Sequence, residues 1–509
     1  MLTIYEKEAN FDQIDESFSK IKKLICASVG EALNEVEGEL FRKLQQLGLQ
    51  LLSCYVDVCG TGYEADHPLE SEDGVKMRYK GLQEVSYLSI FGQLCINRGA
   101  YAHPNGTYIY PLDERLNLPE HKYSYLLLKW LAQDAAQHDF RQGVERLNEI
   151  FDLSLFASVP QRLGREIAEY VEPFYEDQTL PKPEDEGSHL VVSADCKGVR
   201  IIKSERETQT APSKCGARRG RGEKPGIKKD AVVVADFSFN PAPRDANVIV
   251  KGLLNQFTKQ EKNQAKKDRQ TQKDAGERPD REPIHKHVFA TLNGKDAAFD
   301  HMMRHVKKRD TTHQKPIIAL LDGEPALEHR LKEQLDTHHL THRLDAVILD
   351  IIHATEYLWD VATCLYGETD NKRIAWVEDK LYALTKSKVG YLIGALRQIL
   401  TKNEHGFSDA KIRTLQKTIT YFDNHRHMMD YATYLKKGYP ISTGVIEGTC
   451  GSLVKNRMEQ SGMRWSIIGA NAVLAQRSVV KNGDWTDFFN FYIQSEQLRL
   501  YPIEYQRAA

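Results

Sequence analysis

The sequence predicts a mixed α/β protein with a long helical insertion, preceded by a mainly helical N-terminal region. Three observations predict it. Apolar runs of strand length recur between residues 190 and 349. They come as a cluster of three, then helix, strand, helix, strand, whereas a doubly wound sheet would alternate throughout. From about 356 to 440 the chain then carries almost only helical periodicity.

Residues 1–75 contain, from Phe18 on, "FSKIKKLICASVGEALNEVEGELFRKLQQLGLQLLSCYVDVC", which has helical spacing and few breakers. Residues 76–175 begin with alternating apolar and polar positions and a turn at "HPNG", a small β element with a hairpin. The same region ends in short helices, where "FDLS" followed by "SVPQRLGREIAEYV" has the rhythm of a helix-turn-helix. An ordinary helical bundle fits it equally. "EDQTLPKPEDEGS" (176–188) is the best linker.

Strands are expected at Leu190–Ser193 with an extension to Ile202, at Ala231–Ala235 with Phe237, at His287–Ala290, Ile317–Leu321 and Ala346–Leu349. Helices are expected at Asp296–Lys307 and Pro325–Leu335. That order suits a ribonuclease-H-like layout over 189–355, interrupted by the helices of 356–440 and completed by 441–509. Two charged stretches, 213–230 and 259–287, interrupt the early strands.

Bulk numbers set limits. The 509 residues are 41% hydrophobic and 28% charged, with a net charge of −2. A phosphate binder usually carries a basic excess, so the total alone argues weakly against nucleic acid. Residues 200–285 reverse that, with 20 Lys/Arg against 12 Asp/Glu. Eight cysteines without a CxxC pair argue against a disulfide framework or a zinc ribbon. No membrane span and no signal peptide are evident, which implies a cytoplasmic protein.

The candidate chemistry lies in carboxylates. Asp195 ends the apolar run "LVVSA", and Asp322 ends "IIALL" before a sharp exit at Gly323 and a helix start at Pro325. Neighbouring strands of an open sheet bring such residues together. Clustered carboxylates repel unless protonated or neutralised, and a divalent cation is the usual neutraliser. Glu447 is a third candidate, placed with Gly451, Val454 and Met458 on one face of a helix. Three hard oxygen ligands imply Mg²⁺ or Mn²⁺, as a pair of ions, and phosphodiester chemistry. Asp350 and His353 are possible supporting residues, with Asp350 otherwise a helix cap; Asp236 and Glu324 rank lower. Lys455, Arg457 and Arg464 follow Glu447 and are placed to meet phosphates, as are Arg218, Arg219 and Arg221 in the basic loop. Trp465 reads as core, with a stacking platform for an unpaired base as the alternative.

"VVSADCKGV", "IALLDGEPALEHRL", "AVILDIIHATEYLW" and "STGVIEGTCGSLVKNRMEQSGMRWSIIGANAVLAQR" together resemble the DDE transposases of bacterial insertion sequences, specifically the ISKra group, over roughly residues 75–480. The resemblance implies a ribonuclease-H-like catalytic domain, a catalytic and metal-binding triad of Asp195, Asp322 and Glu447, and a helical insertion before the glutamate. It also implies double-stranded DNA as partner, both the element's terminal inverted repeats and a target, with a dimer or higher assembly on DNA. A non-catalytic DNA-binding regulator and a metal-dependent nuclease without strand transfer are the competing expectations.

Overall fold

The computed structural model describes residues 4–63, 69–71, 75–205, 228–275, 282–403, 406–442, 444–501 and 505–507. The chain divides into two compact units, 1–174 with 483–509, and 175–482. The last stretch, 483–509, thus belongs with the N-terminal unit, where the sequence reading had placed it with the C-terminal part of the catalytic domain.

The first unit holds two long helices, Ile4–Ala27 and Leu33–Cys59. A β-hairpin follows, Arg78–Ser89 against Gly92–Ala102. Its tight turn is at Ile90–Phe91, where Ser89 Oγ accepts from the Phe91 N–H at 3.1 Å. The "HPNG" turn makes a second, shorter connection to Tyr108–Ile109, with Gly106 at φ +94°. Helices Tyr125–Gln137, Phe140–Phe151 and Ser158–Ala168 come next. Ser124 caps the first, accepting from Leu127 N–H at 3.1 Å, and Asp139 caps the second, accepting from Arg141 N–H at 2.9 Å. Asp152, in the left-handed region, ends that second helix. Trp485–Leu500 closes the unit, its buried face built from Trp485, Phe488, Phe489 and Tyr492.

The second unit is built on one mixed five-stranded sheet. Its strands are β1 (His189–Arg200), β2 (Lys228–Phe239), β3 (Ile284–Thr291), β4 (Ile317–Leu321) and β5 (Leu344–Leu349). The order is β3-β2-β1-β4-β5, with β1, β2 and β3 antiparallel and β1, β4 and β5 parallel. All five expected strands form; the first ends at Arg200, short of the expected Ile202, and the other four reach at least the expected ends. The central strands are buried on both faces, which explains why they read as unbroken apolar runs.

Helix α1 (Lys295–Arg309) crosses from β3 to β4, and α2 (Pro325–Thr337) from β4 to β5. α3 (Ile351–Tyr366) follows β5, and helices at 372–385, 389–402, 409–424 and 431–437 make the helical insertion. The charged stretch after 258 is a helix, Lys259–Asp274, rather than a mere interruption. Its start is a capping box: Thr258 Oγ1 accepts from Glu261 N–H at 3.2 Å, and Glu261 accepts from Thr258 N–H at 2.7 Å.

α5 (Ile467–Asn482) covers the outer edge of the sheet, packing on β3. An edge strand leaves a row of backbone groups unpaired. Two asparagines of α5 pair them: Asn471 Oδ1 accepts from Leu292 N–H at 2.6 Å, and Asn482 accepts from Val288 N–H at 2.9 Å. No described helix is long and apolar enough to cross a membrane.

Candidate active site on adjacent strand ends

β1 and β4 run parallel in register up to Ala194 opposite Leu321. Asp195 and Asp322 are the next residues on each strand, so the sheet sets two carboxylates side by side. Both are half-buried. Burial pushes the Asp322 carboxyl up, and the neighbouring Asp195 charge pushes it further, against the Glu324 N–H and His353. Asp322 is held firmly: Oδ1 accepts from Glu324 N–H at 2.8 Å, and its carbonyl accepts from the Tyr421 hydroxyl at 3.0 Å. Tyr421 is stacked on Tyr357 at 3.8 Å. Between the two lies Gly323, at φ +93°, where an added Cβ would stand 2.8 Å from Leu349 and 3.1 Å from the Tyr421 hydroxyl. Only glycine makes this turn without displacing both neighbours.

Glu447 is in α4 (Gly444–Thr449), a short helix that packs on β1 and β2. The Glu447 side chain itself lies outside the described residues. One turn on, the buried Cys450 thiol lies close enough to Asp195 for that carboxylate's charge to act on it, which ties this segment to the carboxylate pair. Burial pushes the Cys450 thiol up, and the Asp195 charge adds to it, so the thiol stays protonated.

The single helix face expected for Glu447, Gly451, Val454 and Met458 does not persist. Cys450–Lys455 is a π-helix, and α-helical winding resumes at Asn456. The wider turn resets the phase. Its loosened carbonyls are satisfied by Arg477, a buried residue of α5. Arg477 Nε donates to Leu453 O at 2.7 Å, and its Nη2 donates to Ser452 O.

The phosphate-contact candidates separate. Lys455 and Arg464 are exposed. Arg457 is not available: it is 0% exposed, with its guanidinium over the Trp465 ring at 4.8 Å and a hydrogen bond to Met463 Sδ at 3.4 Å. The expectation that Arg457 grips a phosphate is therefore corrected; the reset helix phase turns it into the core. Arg218, Arg219 and Arg221 lie outside the described residues. Asp350 is buried and caps α3, accepting from Ile352 N–H at 2.8 Å. His353 is half-buried, pairs with Glu356 at 3.3 Å, and is near enough for its charge to favour ionised Asp322. Glu324 pairs with Lys295 at 2.9 Å.

Trp465 is core. It is 6% exposed, its Nε1–H donates to Met458 O at 3.1 Å, and its backbone extends β1 through bonds with Arg200 O and Ile202 N–H, both 2.9 Å.

A second cluster was not foreseen. Arg309 of α1, 1% exposed, bonds Glu186 through Nε and Nη2 at 2.9 and 2.6 Å, and Asp236 through Nη1 at 2.7 Å. His305 Nδ1 is 2.8 Å from Asp236. Burial alone would raise the Asp236 carboxyl, but His305 and then Arg309 hold it well below the ordinary carboxylate range. His287 takes its place between Asn482 Nδ2 at 3.0 Å and His301 Nε2 at 3.0 Å. An amide N–H facing His287 Nδ1 makes that nitrogen the acceptor, so Nε2–H donates to His301. Burial drives the His287 ring well below the usual histidine value, and it stays neutral.

The ligand atoms of Asp236, His287 and His305 lie within 4.8 Å of one another, so this group could hold a metal ion. As folded, the His287 and His305 rings are stacked at 3.9 Å and 23°, which runs their in-plane lone pairs alongside each other, and His287 has both nitrogens engaged. The arrangement acts first as a paired buried charge network. Its members were invisible as a set because Glu186, Asp236 and Arg309 are far apart in sequence.

No protein-family model matches the chain, and no curated protein matches it.

Proposed function

We propose that the chain is a DDE-type transposase that cuts DNA at the ends of an insertion sequence and joins them to a target, with a ribonuclease-H-like catalytic domain. The carrying observation is the pair Asp195, mid-strand in β1, and Asp322, just past the end of the neighbouring parallel strand β4, with the Glu447 helix packed on the same sheet. The mixed five-stranded sheet, with β4 and β5 each preceded by a helix as expected, supports that layout. The donor set suits Mg²⁺ or Mn²⁺: hard carboxylate oxygens of one charge, with Asp195 and Asp322 half-buried. Asp195, Asp322 and Glu447 would hold two such ions. Bound there, the ions supply charge neutralisation at the attacking and leaving oxygens of the phosphodiester.

The chain's own residues do the positioning. Glu324 N–H and Tyr421 fix Asp322, and Cys196 N–H donates to Asp195 Oδ1 at 2.6 Å. Lys455 and Arg464, both exposed on the segment after Glu447, meet backbone phosphates. The helices Phe140–Phe151 and Ser158–Ala168 read the terminal repeats.

The test is incubation of the full chain with Mg²⁺ and DNA bearing the element ends, resolved on a denaturing gel. Joined product supports the proposal. Cleavage without joining indicates a nuclease, and binding without either indicates a regulator. Asp195→Ala, Asp322→Ala and Glu447→Ala are each expected to abolish cleavage and leave DNA affinity within about threefold, because the phosphate contacts remain. Wild-type-like cleavage by any one of them removes that residue from the triad. A readout without catalysis accompanies it. Asp322→Asn relieves like-charge repulsion, so it is expected to raise the metal-free melting temperature and erase the rise that Mg²⁺ gives the wild type.

A further inference from the structure

The first unit opens with a helical hairpin that hides only part of its apolar surface. In Ile4–Ala27, Ile21 is buried and Ile14 and Leu24 are half-buried. Phe11, Phe18 and Ile25, seven residues apart, are 52, 47 and 52% exposed. In Leu33–Cys59, Phe41, Leu44, Leu51, Tyr55 and Val58 recur at spacings of three, four or seven and are all exposed. The gap at Gly48 is filled from outside: the Phe91 ring stands 2.6 Å from where a Cβ would be, and is itself partly exposed. The result is a seven-residue apolar repeat on the outer side of each helix, the seam pattern of a coiled coil.

A helix apolar on two sides calls for cover on both. Nine such side chains, half-exposed, offer roughly 800 Å² of apolar surface at 150–250 Å² per large side chain, the area each partner of a stable interface buries. Patches on monomers are usually smaller.

The charges specify what covers it. Asp15 and Lys22 each lie four residues after a row member, Phe11 and Phe18, and both are exposed. Lys22 Nζ sits 4.7 Å from the Phe18 ring, along the row. Two copies laid parallel would set Asp15 against Asp15. Laid antiparallel about an axis between Phe18 and Ser19, they set Asp15 against Lys22 of the second copy, twice. Of the two, the antiparallel arrangement is the one in which Asp15 and Lys22 complement each other.

We propose that this hairpin is a self-association surface, on which a second copy of the chain docks hairpin to hairpin as an antiparallel four-helix bundle with Phe18 beside the two-fold axis. The inference stands apart from the catalytic reading, since no residue of the carboxylate site takes part.

The experiment is sedimentation velocity on the full chain over a micromolar concentration series, with circular dichroism to check folding. The wild type is expected to dimerise. Phe18→Glu, which would lie near its own copy across the axis, and Leu51→Glu are each expected to weaken the dimer at least ~30-fold, as for a central interface residue. Asp15→Lys alone should weaken it by a few fold, and Asp15→Lys with Lys22→Asp should restore it. A wild type that stays monomeric, or that binds lipid vesicles without self-association, overturns the proposal. So does a dimer indifferent to both glutamate variants, or one that the double charge exchange fails to restore.

Discussion

Replacing Trp465 by alanine tests whether this residue, in the motif that follows Glu447, holds the fold or holds DNA. The ring is 6% exposed, and a buried tryptophan removes about 200 Å² from water, worth up to ~5 kcal/mol at ~25 cal/mol/Å². Its indole N–H bond to Met458 O adds about 1 kcal/mol. Arg457, 0% exposed beneath it, would lose the ring its guanidinium lies against. Partial collapse of the cavity offsets some of this, so the expected cost is about 3–5 kcal/mol. For a unit of this size that lowers the melting temperature by roughly 5–8 °C. The assay is thermal unfolding followed by near-ultraviolet circular dichroism, reading the transition of the 175–482 unit. Trp465→Phe should cost less than half as much. DNA affinity measured well below melting should be unchanged. A Trp465→Ala protein that melts like wild type yet binds pre-cleaved ends ~10-fold or more weakly would refute the core assignment and restore the stacking one.

Arg309→Met should be strongly destabilising, by about 3–5 kcal/mol, since it removes the buried cation that Glu186 and Asp236 share and leaves Asp236 with His305 alone; a chemical denaturation midpoint equal to wild type would contradict this. Arg477→Met should cost about 1–3 kcal/mol for each of the Ser452 and Leu453 carbonyls it leaves unpaired, and should depress cleavage more than DNA binding because α4 is displaced. His287 is neutral in the fold with its titration driven well below the usual value, so the unfolded chain takes up a proton first as pH falls. Stability should therefore decline from about pH 6.5 downward, and His287→Phe should flatten that decline; a melting temperature constant from pH 7.5 to 5 would count against it.

The sequence by itself determined the five strands and the helices around them, because those signals are local. An apolar run such as Ile317–Leu321 can be buried on both faces only as a central strand, and Gly323 with Pro325 ends it and starts α2. Asp195 and Asp322 were legible for the same reason: each is the first acid beyond an apolar run, and only their adjacency needed the sheet register. The π-helix at Cys450–Lys455 was not legible, since local spacing carries no sign of a wider turn. With it went the true facing of Arg457, whose charge says nothing about whether water or a tryptophan ring receives it. The capping box at Thr258 and Glu261 was present in the sequence but masked by the charge of the stretch it starts. Tertiary structure alone decided that Tyr421 holds Asp322, that Asn471 and Asn482 seal the β3 edge, and that Glu186, Asp236, His305 and Arg309 neutralise one another. Such partners are tens to hundreds of residues apart, and burying a polar group specifies only that some partner must meet it; which one does is set by the packing of the whole unit.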